Sequence, residues 1–512
     1  MLARIHTASL LGLTARPITV EVDLARGLPT FHLVGLPDGA VRESRERVTS
    51  ALGNSGFVLP CRRITVNLAP ADEPKSGSGF DLPIALAILQ ADRRLAVPVG
   101  PPLAAVGELA LDGRVRPVRG VLPSVAALAA LGAGQVLVAS ENAREAALVR
   151  RVDAIPVDSL RAAVDHVSGL APIPPAEVSD GRSPPSRREE DWAQIRGQPA
   201  ARRALEIAAA GGHNALLIGP PGVGKTFLAR RLPTILPPLD ESEALEVTSI
   251  HSAWGRLSPD LPLVTCPPFR APHHTISAAA LLGGGATARP GEVSLAHRGV
   301  LFLDELPEFR RDALEGLRQP LEDGEVVIGR ARERHRFPTR FLLIAAMNPC
   351  PCGWWGDERR ACRCTPGVRR VYRARVSGPL LDRIDLHVPF RSLAFAELVD
   401  GGTAEPSSVV RERVSAARAR QASRGRPNAA LVPGRAANWA RLTSDGRRLL
   451  EGAHARLGLS ARAHVRILRV ARTIADLEER ETIDPRDIAE AVQYRALDRP
   501  QEEESSRPRH GD

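Results

Sequence analysis

The apolar positions change period along the chain, and those changes divide it. Near the start Ile18, Val20 and Val22 alternate with polar neighbours as in a half-buried strand, and Ile64-Thr-Val-Asn-Leu68 predicts another. Arg42 to Leu52 reads as a charged surface helix. Ile84 to Leu89 reads as an apolar helix opened by the Gly-rich turn Pro74-Lys-Ser-Gly-Ser-Gly-Phe-Asp-Leu-Pro83. Periodicity is lost over 171–190, where Pro, Ser, Arg, Glu and Asp accumulate and a linker is expected. A helix, Ala200–Ala210, follows it. Three short apolar runs then read as buried strands, beginning at Leu216, at Gly299 and at Phe341. Later Ile467, Leu468, Ala471, Ile474 and Ala475 form one helical stripe, and Asp484-Pro485 opens a further helix with a cap and Pro at its first position. The expected division is a mixed domain at 1–170, the linker at 171–190, a strand-and-helix core at 191–395, a helical domain at 405–498 and a disordered tail at 499–512.

At 512 residues with ample apolar content, the chain should form several packed domains. The first twenty residues lack the charged-then-apolar pattern of an export signal, and no apolar run approaches the ~18 residues of a membrane span. Of six cysteines, four fall within fifteen residues, unlike a secreted disulfide framework. A cytoplasmic protein without a membrane partner is expected. The net charge of +10 is modest, but of 69 basic residues two are lysines, Lys75 and Lys225, and 67 are arginines. A coding bias that replaces Lys by Arg wherever either serves would leave these two where a planar guanidinium does not serve. Lys225 fits, as shown next; Lys75 either caps its turn or contacts a ligand.

Gly219, Pro220, Pro221, Gly222, Val223, Gly224, Lys225 and Thr226 form the pattern G-x-x-x-x-G-K-T between a buried strand and the predicted helix Phe227–Leu232. That is the context of a phosphate-binding loop rather than of an ordinary Gly/Pro turn. Its amides and the helix N-terminus would receive the phosphates of ATP, Lys225 would meet the β- and γ-phosphates, and the Thr226 hydroxyl would bind Mg²⁺. About 80 residues on, an apolar strand ends in Asp304 and Glu305. Asp304 is placed to hold the Mg²⁺ through water, and Glu305 to polarise the attacking water. Asn348, ending the next strand, is placed to orient that water. Cys350, Cys352, Cys362 and Cys364 follow as C-x-C, nine residues, C-x-C. Four thiolates would close a tetrahedral Zn²⁺ site; reduced loop cysteines are the alternative, and both stay open. Cys61 and Cys266 read as buried or isolated thiols.

Two segments are Arg-rich. Glu325–Arg340 carries Arg330, Arg332, Arg334, His335, Arg336 and Arg340 and reads as a hairpin whose cationic tip suits a phosphate backbone without base specificity. Arg411–Arg426 reads as a solvated helix. His273 and His274 are adjacent, so regular structure does not aim both at one metal.

Pro74–Pro83 and Val106–Pro117 resemble the peptidase domain of Lon-type proteases, but Gly79 stands where their serine nucleophile aligns, and Val121–Ser124 lacks their lysine. Peptidase chemistry is therefore not expected. Thr275–Glu308, with Gly283-Gly-Gly285, Pro290-Gly-Glu292, Ser294-Leu-Ala-His297 and Leu303-Asp-Glu-Leu306, resembles the magnesium-chelatase-related AAA+ ATPases, as do Ser377–Asp385 and Ser460–Leu477. With the Lon-like segment ahead of it, the chain resembles the ComM/YifB family. The resemblance implies an α/β AAA+ core with a helical lid, preceded by a Lon-like α+β domain. It also implies a homo-hexameric ring with nucleotide between subunits, and places Trp192–Gln198 against the adenine. Arg383 would be the finger reaching the neighbour's γ-phosphate, Arg462 the lid's sensor arginine, and the hairpin and the His273–His274 insertion would line the pore. The implied activity is an ATP-driven helicase on branched or single-stranded DNA, acting in branch migration during uptake and recombination. A metal-insertion motor and a protein-remodelling ATPase are the alternatives.

Overall fold

The computed structural model describes residues 2–97, 100–177, 190–285, 289–329, 334–395, 397, 404–432, 434 and 436–495. Most of the expected linker and the whole expected tail lie outside these, as do Arg330 and Arg332.

Period-two patterning builds the first sheet. Its seven strands run in the order Thr30–Val34, Arg63–Ala69, Thr14–Ala25, Leu2–Leu11, Leu103–Val106, Gln135–Ala139 and Asp153–Val157. Leu2–Leu11 and Thr14–Ala25 pair antiparallel with Ile5 opposite Val20, which turns Ile18, Val20 and Val22 to the core, fully buried. The apolar helix Asp81–Ala91 covers that face. Lys75, 0% exposed, donates from Nζ to the Pro70 carbonyl, while its backbone pairs with Leu36 and Asp38. Its side chain thus caps its own turn. Ser124, in the segment aligned with the Lon lysine, donates its hydroxyl to the Gly120 carbonyl at 2.6 Å.

The second sheet is parallel throughout: Phe269–Arg270, Val300–Leu303, Leu342–Met347, Ala215–Ile218, Leu386–Pro389. Its three inner strands are apolar without alternation because both faces are covered. Ala215 and Leu217 pack toward the helices Pro199–Gly211 and Ala461–Leu477, and Leu216 packs into the cluster on the other face with Leu301, Leu303 and Leu343. The strand carrying the phosphate loop is thus flanked on both sides, between Leu342–Met347 and the edge strand Leu386–Pro389.

The Arg411–Arg426 segment departs from expectation. Ser407–Ala422 is a helix, but its arginines are not simply solvated. Arg413 bridges Glu206 and Glu405, Arg418 donates to the Ala209 carbonyl at 2.7 Å, and Arg424 pairs with buried Asp476. Long guanidinium stems cap the C-terminal carbonyls of Pro199–Gly211 and brace that helix against the lid. Composition alone hides this, because Glu206 and Ala209 lie some two hundred residues from the arginines they accept from. The helices outside the two sheets touch where Gly120 donates to the Ser252 carbonyl at 3.0 Å, and Ser252 bonds buried Glu145.

Candidate nucleotide site and its surroundings

Gly219 leaves the strand where only a glycine fits, since a Cβ there would come within 2.6 Å of Phe390 Cβ. Gly222 and Gly224 have φ of +77° and +91°, the left-handed region open to glycine. The loop then enters the helix Lys225–Arg231. Lys225, 8% exposed, folds back and donates to the carbonyls of Gly219 at 2.6 Å and Pro220 at 2.8 Å, and to Asn348 Oδ1 at 3.1 Å. Burial pulls its pKa down to about 8, against the opposing pull of Asp304 and Glu305. Thr226 Oγ1 donates to Asp304 Oδ2 at 2.6 Å, and Asp304 Oδ1 accepts from the Glu305 amide at 2.9 Å. A hydroxyl and a carboxylate side by side are hard oxygen donors that fit a hydrated divalent cation such as Mg²⁺. The structure therefore gathers Lys225, Thr226, Asp304 and Asn348 from three neighbouring parallel strands into one cluster.

Glu305 sits at φ +54°, a left-handed backbone that a non-glycine residue holds only when its surroundings impose it. Its half-exposed carboxylate meets His274 Nδ1 at 3.1 Å; the His274 ring lies tilted against His273 and edge-on to Phe309. Sequence reasoning missed His274 as a partner of Glu305. Thirty-one positions separate the two, and Glu305 ends a strand while His274 lies in the insertion, so nothing local pairs them.

Arg383 and Arg462 make their contacts outside this cluster. Arg383, its side chain 15% exposed, pairs with Glu322 and donates to the Pro379 carbonyl at 2.5 Å. Arg462 is exposed and reaches Asp382 at 3.0 Å. The neighbouring lid residue Arg466 lies within 4 Å of both Asp382 and buried Asp385.

The four cysteine sulfurs at 350, 352, 362 and 364 all lie within 4.8 Å of one another, soft donors that fit Zn²⁺. Cys61 is exposed and Cys266 half-buried, and both are free thiols. The hairpin forms from Glu325–Gly329 and Arg334–Pro338. Val326 and Phe337 root it in the core, while Arg334, Arg336 and Arg340 are exposed. No helix among the described residues is long and apolar enough to cross a membrane.

Comparison with known proteins agrees with this architecture. Residues 191–398 match the family model described as magnesium chelatase, subunit ChlI, residues 20–142 match that for subunit ChlI of Mg-chelatase, and 404–495 match that for the ChlI C-terminal region. The chain is 45% identical to the protein YifB of Salmonella typhimurium, over 97% of this chain and 98% of YifB. It is 44% identical to the competence protein ComM of Haemophilus influenzae, over 97% of this chain and 98% of ComM. Lon protease 2 of Bacillus subtilis is 25% identical over 31% of each chain. With an AAA+ core, a helical lid and a preceding Lon-like domain, the chain belongs to the ComM/YifB family of magnesium-chelatase-like AAA+ ATPases.

Proposed function

We propose that this chain hydrolyses ATP with Mg²⁺ as one subunit of a cytoplasmic homo-hexameric ring, and that the ring drives branch migration on branched or single-stranded DNA without sequence specificity. The observation that carries the ATPase part is the cluster of Lys225, Thr226, Asp304 and Asn348 at the end of the parallel sheet. Lys225 exchanges its loop carbonyls for the β- and γ-phosphate oxygens. Thr226 and, through water, Asp304 would hold the Mg²⁺, which would supply positive charge against the phosphates. Glu305 takes the proton of the attacking water, and Asn348 orients it. Arg383 leaves Glu322 to meet the γ-phosphate of the adjoining subunit, and Arg462 acts from the lid. Independently of the nucleotide, Cys350, Cys352, Cys362 and Cys364 would hold a structural Zn²⁺.

DNA as substrate is supported by the exposed arginines of the rooted hairpin and by similarity to a competence protein. The match to chelatase models favours a metal-insertion motor as the second reading. ATP turnover measured with forked DNA, four-way junctions and no DNA separates them. Several-fold stimulation by branched DNA is expected, and indifference to every DNA structure overturns the DNA part.

A further inference from the structure

Residues 348–365 contain no helix or strand, and from Cys350 to Cys364 only Cys350 and Gly353 are buried. A loop of that length without an apolar core pays its ordering entropy from some other source. Its four sulfurs supply one. Cys350 and Cys352 stand 3.3 Å apart, and Cys362 lies 3.6 Å from each. Four thiolates at about 2.3 Å from one Zn²⁺ are about 3.8 Å apart, close to this spacing, and disulfide sulfurs are much closer.

The loop's position gives the site a consequence. Gly353 turns at φ +83°, and a Cβ there would come 2.7 Å from Pro221 of the phosphate loop. Cys350 lies two residues beyond Asn348, which accepts from Lys225 at 3.1 Å. On its other side the loop stacks Trp355 under Arg369 and Arg373, both on the helix Pro366–Ala374. That helix leads into the segment carrying Arg383. The cysteines therefore sit between the chain's own phosphate loop and the segment that carries its finger arginine.

We propose that these four cysteines bind one Zn²⁺ whose occupancy holds Gly353 and Asn348 against the phosphate loop, so that metal and nucleotide strengthen each other's binding. The coupling rests on the nucleotide-site reading above; the metal site does not. Reciprocity is required, because a contact that favours nucleotide when metal is bound favours metal equally when nucleotide is bound.

The test uses the full chain, purified under reducing conditions without chelators. About one Zn²⁺ per chain is expected, by metal analysis. A non-hydrolysable ATP analogue with Mg²⁺ should raise the affinity for Zn²⁺, measured by equilibrium competition with a chromogenic chelator, at least about five-fold. Stripping the metal should weaken binding of a fluorescent ATP analogue by about the same factor, with recovery on adding Zn²⁺ back. Cys362→Ser should reproduce the weakened binding, and the stripped wild-type chain serves if that variant does not fold. Less than about a tenth of an equivalent of metal overturns the site. One Zn²⁺ whose affinity the ATP analogue does not change, and whose removal leaves nucleotide binding unchanged, overturns the coupling. A zinc-loaded chain that binds no nucleotide overturns the phosphate-loop reading and the coupling with it, and the metal count still judges the thiolate site.

Discussion

Lys225 is a buried ammonium bonded to its own loop, and its pKa of about 8 against an ordinary 10.5 measures the discomfort. Between those values the unfolded chain holds more protons than the folded one, so this group's contribution to stability rises with pH in that window. Below about pH 8 the burial penalty is present in full. A triphosphate supplies the missing counter-charge and should raise the pKa. Binding of an ATP analogue at pH 8 to 9 should therefore take up a fraction of a proton, read by calorimetry in buffers of different ionisation enthalpy. Affinity should fall as pH climbs above 8; proton release on binding would contradict the assignment. Lys225→Ala should reduce turnover at least about a hundred-fold, the scale of losing one preorganised charge, and unchanged activity would refute the site.

The basic hairpin is the element on which the DNA reading leans. Its register places Arg334 and Arg336 on the solvent side, opposite Gly329 and Val327, while Phe337 anchors the strand. Replacing both arginines with Ala removes two candidate phosphate contacts and leaves the anchor. The expected outcome is a several-fold loss of DNA affinity for all sequences alike, with the slope of log affinity against log salt reduced by about 1 to 2. An unchanged slope would place the DNA elsewhere. The Ser407–Ala422 helix cautions against reading charge from composition, since its arginines bind carbonyls and carboxylates of other elements.

At the scale of the whole molecule, the isolated chain holds Arg383 against Glu322, away from its own Lys225 cluster. That arrangement suits a residue meant for a neighbour. Arg383→Ala and Glu305→Gln should each be nearly inactive alone. Mixed together they should recover part of the turnover, because some interfaces then pair an intact Glu305 with an intact Arg383. No recovery in mixtures shown to co-assemble would argue against a shared site.

The chain by itself determined whatever is written in contiguous residues: the strand–loop–helix at 215–231, the acidic pair ending an apolar strand, the alternating strands near the start and the cysteine spacing. Each is set by local periodicity, by glycine's freedom at positive φ, or by the cap and turn chemistry of a few neighbours. Only the tertiary structure decided what depends on closure over long separations. It set His274 against Glu305, spent Arg413 and Arg418 on bracing the helix Pro199–Gly211, and laid the cysteine loop on Pro221. A side chain's partner hundreds of residues away leaves no trace in its own neighbourhood, because parallel-sheet crossovers and domain packing choose who meets whom.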